Sequence, residues 1–247
     1  MEVKQSYYEN APIILSIIQF RYSKIESFDI KIVKNLANKF KSEFPIINER
    51  FVHSIVVNNG GNSETSVSIE DKQFDGIQIM SKNRQEIFTI TETKFTFQSH
   101  EKYTGWENFR NKAFKFWNIF NQLFNVNELN GISLRYVNKI NLPLDLKQTN
   151  KYFTTYLKDD KNSFSIGNFQ FKFTSFEREN NFKINISHLL DAPLEDSVPY
   201  IFDIDVLYNE KMKSDDESVL NLFEKIRNKK NELFNNGITE ETKKLIS

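Results

Sequence analysis

The sequence predicts an α+β fold, an internally duplicated unit of strand, helix, antiparallel meander and long helix, with curved antiparallel sheets gripping the helices. Three observations predict it. Two long amphipathic helical stripes, at 106–124 and 219–233, each close a run of short strand patterns. Each run is preceded by a strand and a helical segment, so the order of elements occurs twice. The stretch GISLRYVNKINLP, at 131–143, reads as the strand that opens the second copy, and no Pro-, Gly- or Ser-rich linker separates the copies near residue 128. The expected repeats are therefore 1–128 and 129–247, packed as one unit.

The first strand is predicted over 12–22, PIILSIIQFRY, where β-branched and aromatic residues follow an entering proline. Over 29–44 the apolar positions Ile32, Val33, Leu36, Ala37, Phe40 and Phe44 recur at helical spacing, and Pro45 marks the stop. Short strands are expected at 50–57, 66–70, 76–81, 86–91 and 94–99, separated by the Asn58-Asn59-Gly60-Gly61 turn and by polar pairs. Thr104 and Glu107 have capping-box spacing, ahead of the stripe Trp106, Phe109, Ala113, Phe116, Trp117, Phe120 and Phe124. Such a stripe is expected in the core.

In the second half, a helical segment is predicted at 152–157 and strands at 164–165, 169–173, 182–188 and 200–208. Ser214 and Glu217 repeat the capping spacing before a helix that turns Val219, Leu222, Phe223, Ile226 and Leu233 inward. Gly237 stands where a C-terminal cap belongs, and Thr239 where a last short helix starts.

Composition narrows the function classes. The chain has 247 residues, with 33 Lys+Arg against 33 Asp+Glu, so no global charge draws it to nucleic acid or to an anionic membrane. With no cysteine, thiolate catalysis and Cys-type zinc sites are excluded, and a cytoplasmic location is expected. No window approaches the roughly 18 apolar residues of a membrane span, and 11–20 lacks the basic start of a signal peptide. His53, His100 and His188 show no metal-ligand spacing, and no GxSxG elbow or GK[ST] loop occurs. No cofactor and no metal are implied. The basic run Lys225 to Lys230 reads as a solvated helix face, with an accessory nucleic-acid contact as its lesser reading.

The candidate site lies on two strands. In 131–143, Ile132, Leu134 and Tyr136 alternate with Ser133, Arg135 and Val137, which puts Arg135 and Lys139 on one face and Asn138 on the apolar one. In 200–208, Asp203 and Asp205 project from one side, about 6–7 Å apart by strand geometry. They could flank a divalent cation or share acid and base work. The structural reading pairs them with Arg135 and Lys139 in a cross-strand ladder.

The motifs NAPI (Asn10 to Ile13), GW (Gly105 and Trp106), SLRYVNKI (Ser133 to Ile140), FDID (Phe202 to Asp205) and LFNNGITEE (Leu233 to Glu241) follow one another along nearly the whole chain. In order and spacing they resemble an uncharacterised, sporadically distributed bacterial and archaeal family. That resemblance implies a layout and a biology of horizontally moved genes, such as phage defence or toxin neutralisation. It assigns no catalytic residue. The leading expectation is a noncatalytic binding or regulatory subunit, a specificity or neutralising partner acting with a protein encoded nearby. Two alternatives stand beside it: a cation-dependent enzyme or binder acting on a phosphorylated ligand or nucleotide in the sheet concavity, and a nucleic-acid-binding saddle.

Overall fold

The computed structural model describes residues 8, 10–52, 55–59, 65–69, 73–146, 148–157 and 167–247, with backbone alone at 55–59 and 65–69. The strand predicted at 164–165, His53 and the glycines of the Gly60-Gly61 turn lie outside the described residues. Twelve strands are present among those described: β1 (Ile13–Tyr22), β2 (Ile46–Val52), β3 (Ile55–Asn59), β4 (Thr65–Ile69), β5 (Gln73–Met80), β6 (Glu86–Thr91), β7 (Lys94–Ser99), β8 (Glu128–Leu142), β9 (Phe169–Glu177), β10 (Phe182–Leu190), β11 (Val198–Tyr208) and β12 (Met212–Lys213). The helices are α1 (Ile30–Asn38), α2 (Trp106–Phe124), α3 (Asp216–Gly237) and α4 (Glu240–Ile246).

One antiparallel sheet of ten strands runs β2-β5-β6-β7-β1-β8-β11-β10-β9, with β12 also on β8, and β3 pairs with β4 alone. It is curved and does not close, and with the four helices it bears out the α+β class. Outward from the central β1/β8 pair the order is matched, β1-β7-β6-β5 on one side and β8-β11-β10-β9 on the other. The long helices α2 and α3 close the two halves. This order is what a duplication would leave, and the duplication itself stands as a proposal on that ground. The halves also differ, since β2, β3 and β4 have no counterparts among the described residues and a 3-10 turn at Thr149–Lys151 stands where α1 would recur.

The core lies between the sheet and the helices. Ile18 and Phe20 of β1, Phe95 and Phe97 of β7 and Leu134 and Tyr136 of β8 are fully covered. From α2, Phe116, Trp117 and Phe120 meet them, with Trp117 stacked on Phe20 at 4.3 Å between centroids. Offset ring contacts of this kind add to the area that each ring removes from water.

Several local expectations are corrected. The regular part of α1 ends at Asn38, and tighter turns carry Phe40 and Phe44 into the core, with Phe40 N donating to Ala37 O. Ile32 is 38% exposed rather than inward. At α2 no capping box forms: Gly105 is the N-cap at φ 116, which leaves Thr104 outside the helix accepting from Asn108. At α3 the cap moves by one residue, so that Asp215 accepts from Ser218 N while Ser214 Oγ donates to Val126 O. The strand predicted at 50–57 is split between β2 and β3.

Residues 152–157 form no α-helix, because their backbone bonds go to the end of α3: Thr154 N donates to Gly237 O and Thr239 N to Tyr152 O. Phe234, rather than Leu233, is the fully inward residue of that turn. Gly237 is the last helical residue, and Ile238 is the extended cap. What requires glycine there is packing, since a Cβ would sit 2.6 Å from the Phe202 ring.

Candidate functional site

The pleat of β8 divides the predicted site residues between two faces. On the face away from the helices, Arg135 lies directly opposite Asp205 of β11, and Val137 opposite Asp203. The long Arg135 side chain takes the diagonal partner: Nε donates to Asp203 Oδ1 at 2.9 Å and a terminal nitrogen to Oδ2 at 2.6 Å. This is a bidentate fork, the geometry in which arginine and carboxylate bind most strongly. It holds Arg135 charged, above its ordinary pKa, against a smaller opposing effect of burial.

Asp205 is left to other partners. Burial raises its pKa first, while Asn185, Arg135 and Arg21 work in the other direction. Asn185 Nδ2 reaches Asp205 at 3.4 Å, and Thr174 donates to the amide oxygen of Asn185 at 2.9 Å. A polar row thus crosses the sheet from Arg135 on β8 to Thr174 on β9. Arg21 of β1 crosses β8 above Gly131, whose missing side chain leaves that passage, and donates to Tyr208 O at 2.9 Å and to Asn209. Its Nε is buried without an acceptor, and burial lowers its pKa.

Of the expected ladder, only the Arg135–Asp203 rung forms. Lys139 faces Ile201 and makes no ion pair among the described residues. Asn138 lies on the apolar face as its position requires, 3% exposed, and donates to Phe202 O at 2.9 Å. That bond is the clamp a buried amide needs. The five candidates therefore separate into a fork (Arg135 and Asp203), a flanking carboxyl (Asp205), an unpaired lysine (Lys139) and a core clamp on the opposite side (Asn138). Among the described residues, no group of three or more His, Cys, Asp or Glu could hold a metal ion.

Two features escaped the sequence reading. The first is Lys230 of α3, 7% exposed, with its Nζ 4.0 Å from the centre of the Tyr136 ring. This corrects the solvated-face reading of Lys225 to Lys230 for its last residue. The signal was legible, because Phe223, Ile226, Lys230 and Phe234 continue the inward stripe at spacings of three and four. Around Lys230 stand Tyr103, whose hydroxyl is 3.3 Å from that of Tyr136, and Glu224, which accepts from Trp106, Arg110 and Arg227.

The second feature is the edge strand β9. Among the described residues it has a strand neighbour on one side only, β10. Phe173 is 40% exposed on the helix side and Phe176 72% exposed on the other. The opposite edge, β2, carries Glu49 and Arg50 and a register shift after Arg50. Charges and bulges of that kind blunt an edge against pairing. In β9 the pairing to β10 runs unbroken from Phe169 to Glu177, and Lys172 is its one charge before the terminal Glu177.

His188 belongs to the core. Its Nδ1 lies 2.8 Å from the Tyr200 hydroxyl, its ring stacks on Phe202, and burial lowers its pKa to about 4. Two surface clefts, of about 520 and 600 Å³, lie away from these features, the first beside Asn118, Asn121 and Asp216 and the second beside Glu43 and Asn83. No helix among the described residues is long and apolar enough to cross a membrane. Comparison with protein-family models finds no match, and comparison with curated proteins finds none. The likeness to the sporadic prokaryotic family thus rests on the motifs alone.

Proposed function

We propose that the protein is a noncatalytic binding subunit that captures an extended segment of a protein partner along β9. The unblunted edge of β9 carries this reading. An added strand would bond the edge of β9 that has no strand neighbour among the described residues and cover Phe173 on one face and Phe176 on the other, the mode of β-augmentation. The expected partner segment is apolar at alternate positions, since aromatic and β-branched cross-strand neighbours contribute most beside phenylalanine. The motif resemblance supports placing such a subunit in a prokaryotic defence or toxin system, as the specificity or neutralising member.

The test is recovery of partners from the native host with the full chain and with the double variant Phe173→Asp, Phe176→Asp. Both positions are exposed, so the variant is expected to melt with the parent. A partner retained by the parent and lost by the variant supports the reading. A partner held equally by both, or a parent recovered alone as a stable monomer, overturns it. Self-association through β9 would appear as a dimer that the same variant dissolves.

A further inference from the structure

We propose that the junction between the start of α2 and the middle of α3 is a binding site for a small oxyanion, a phosphoryl or carboxylate group, held by Lys230 and Arg227 with the Tyr103 hydroxyl. This inference is independent of β9, which lies at the far edge of the sheet.

The first argument is the state of the Lys230 amine. It is buried on the helix side and rests against the Tyr136 ring, yet none of its N–H donors meets an acceptor among the described residues. Buried lysines are ordinarily paired. The buried polar atoms without a partner are Arg21 Nε, Trp117 Nε1 and Asn118 Oδ1, so Lys230 Nζ, which also lacks one, retains a narrow contact with solvent. A small ion can follow the same path.

The second argument is the charge around it. Arg110 and Arg227 both bond Glu224, at 3.2 and 3.1 Å, and Trp106 donates to the same carboxylate. Three donors occupy the Glu224 carboxylate, and no hydrogen bond joins it to Lys230 among the described residues. Arg110 and Arg227 thus share one carboxylate, and the charge that acts on Lys230 is the like charge of Arg227. An excess of positive charge in a covered place is costly unless an anion completes it.

The third argument is the hydroxyl pair. Tyr103 and Tyr136 share one hydrogen bond at 3.3 Å, and whichever donates, one hydroxyl hydrogen is left over. Tyr136 is fully buried, whereas Tyr103 is partly exposed at the mouth of the junction. In the arrangement in which Tyr136 donates to Tyr103, the Tyr103 hydrogen adds a donor beside those of the two cations. Oxyanions of phosphate and carboxylate type accept several such bonds at once. Burial and Arg227 lower the Lys230 pKa to about 7, so its amine is cationic in mild acid and neutral in base, and the site loses one positive charge as pH rises.

Calorimetric titration and thermal melts of the full chain would test this with sodium phosphate, sodium acetate and sodium chloride at matched ionic strength, at about pH 6 and about pH 9. Saturable binding of phosphate or acetate at the lower pH is expected, weaker by about tenfold or more at the higher, with no counterpart in chloride. Phosphate alone would assign a phosphoryl ligand, and acetate would assign a carboxylate. Lys230→Met should abolish the binding. Tyr103→Phe, which removes only a hydroxyl, should weaken it several-fold and keeps the test open if the lysine variant fails to fold. Equal responses to all three salts, or binding that survives in either variant unchanged, would overturn the proposal.

Discussion

Arg135 and Lys230 are cations set against the same strand from opposite sides, and the fold treats them in opposite ways. Arg135 stands on the face away from the helices, with 42% of its side chain exposed, and meets a two-pronged carboxylate. Lys230 is buried between α3 and β8, 7% exposed, and meets a ring face and a neighbouring arginine. The half-open face has water to soften any imperfect pairing, so an ion pair there sets register at modest gain. Under the helices little such relief exists. A charge kept there without a counterion is a cost, and that cost is the ground for reading Lys230 as part of a site while the Arg135 fork suffices as structure.

The comparison can be broken most forcefully at Trp117, which represents pure packing on the helix side. It is fully buried and stacked on Phe20. Trp117→Ala should destabilise the chain by about 3–5 kcal/mol through the cavity it opens. An unchanged denaturant midpoint would mean that the helix side does not set stability.

Lys230→Met sharpens the contrast through pH. Tyr136 from β8 and Arg227 from α3 act on Lys230 directly, and around them stand Tyr103 ahead of α2, Arg110 from α2 and Glu224 from α3. The native amine titrates at about 7 against an ordinary 10.5, so between those values the unfolded chain holds the extra proton and stability rises with pH. Below about pH 7 both states are protonated, and the burial cost is felt in full. The parent should therefore gain on the methionine variant from about pH 7 upward, by at most about 1.4 kcal/mol per pH unit. Burial raises the pKa of Tyr103 and Tyr136, which keeps both protonated across this window. Parallel stability curves for the two proteins would show that Lys230 is not desolvated.

The smallest effect is expected at the fork. Arg135→Met leaves Asp203 without the partner that holds both its oxygens, and adding Asp203→Asn should restore part of the loss. Because the arginine is substantially exposed, the coupling in this double-mutant cycle should be only about 1 kcal/mol. A coupling near zero would reduce the fork to a surface contact, and one of several kcal/mol would erase the difference between the two faces.

The alternation of β8 and β11 is legible in the chain because a strand has a strict period of two. That period placed Arg135, Asp203 and Asp205 on one side and Asn138 on the other before any coordinate was known. The inward stripe of α2 is legible for the analogous reason. The same logic extends to Lys230, whose position in the α3 stripe outweighs its charge. Caps are less legible: Thr104 and Ser214 have the right spacing, yet Gly105 and Asp215 take the role, because the entering chain direction decides which residue lies at the helix mouth.

By itself, the sequence determined the α+β class, the strands and long helices, and the apolar face of each, since these follow from local periodicity and backbone preference. Only the tertiary structure decided which aspartate Arg135 takes, because the choice between an opposite and a diagonal partner depends on side-chain reach across two strands. Only it left Lys139 without an ion pair among the described residues, gave the Glu224 carboxylate to Trp106, Arg110 and Arg227, and placed β9 at an edge of the described sheet. Each of these is settled by contacts between residues far apart in the chain, and no local period records what will stand opposite.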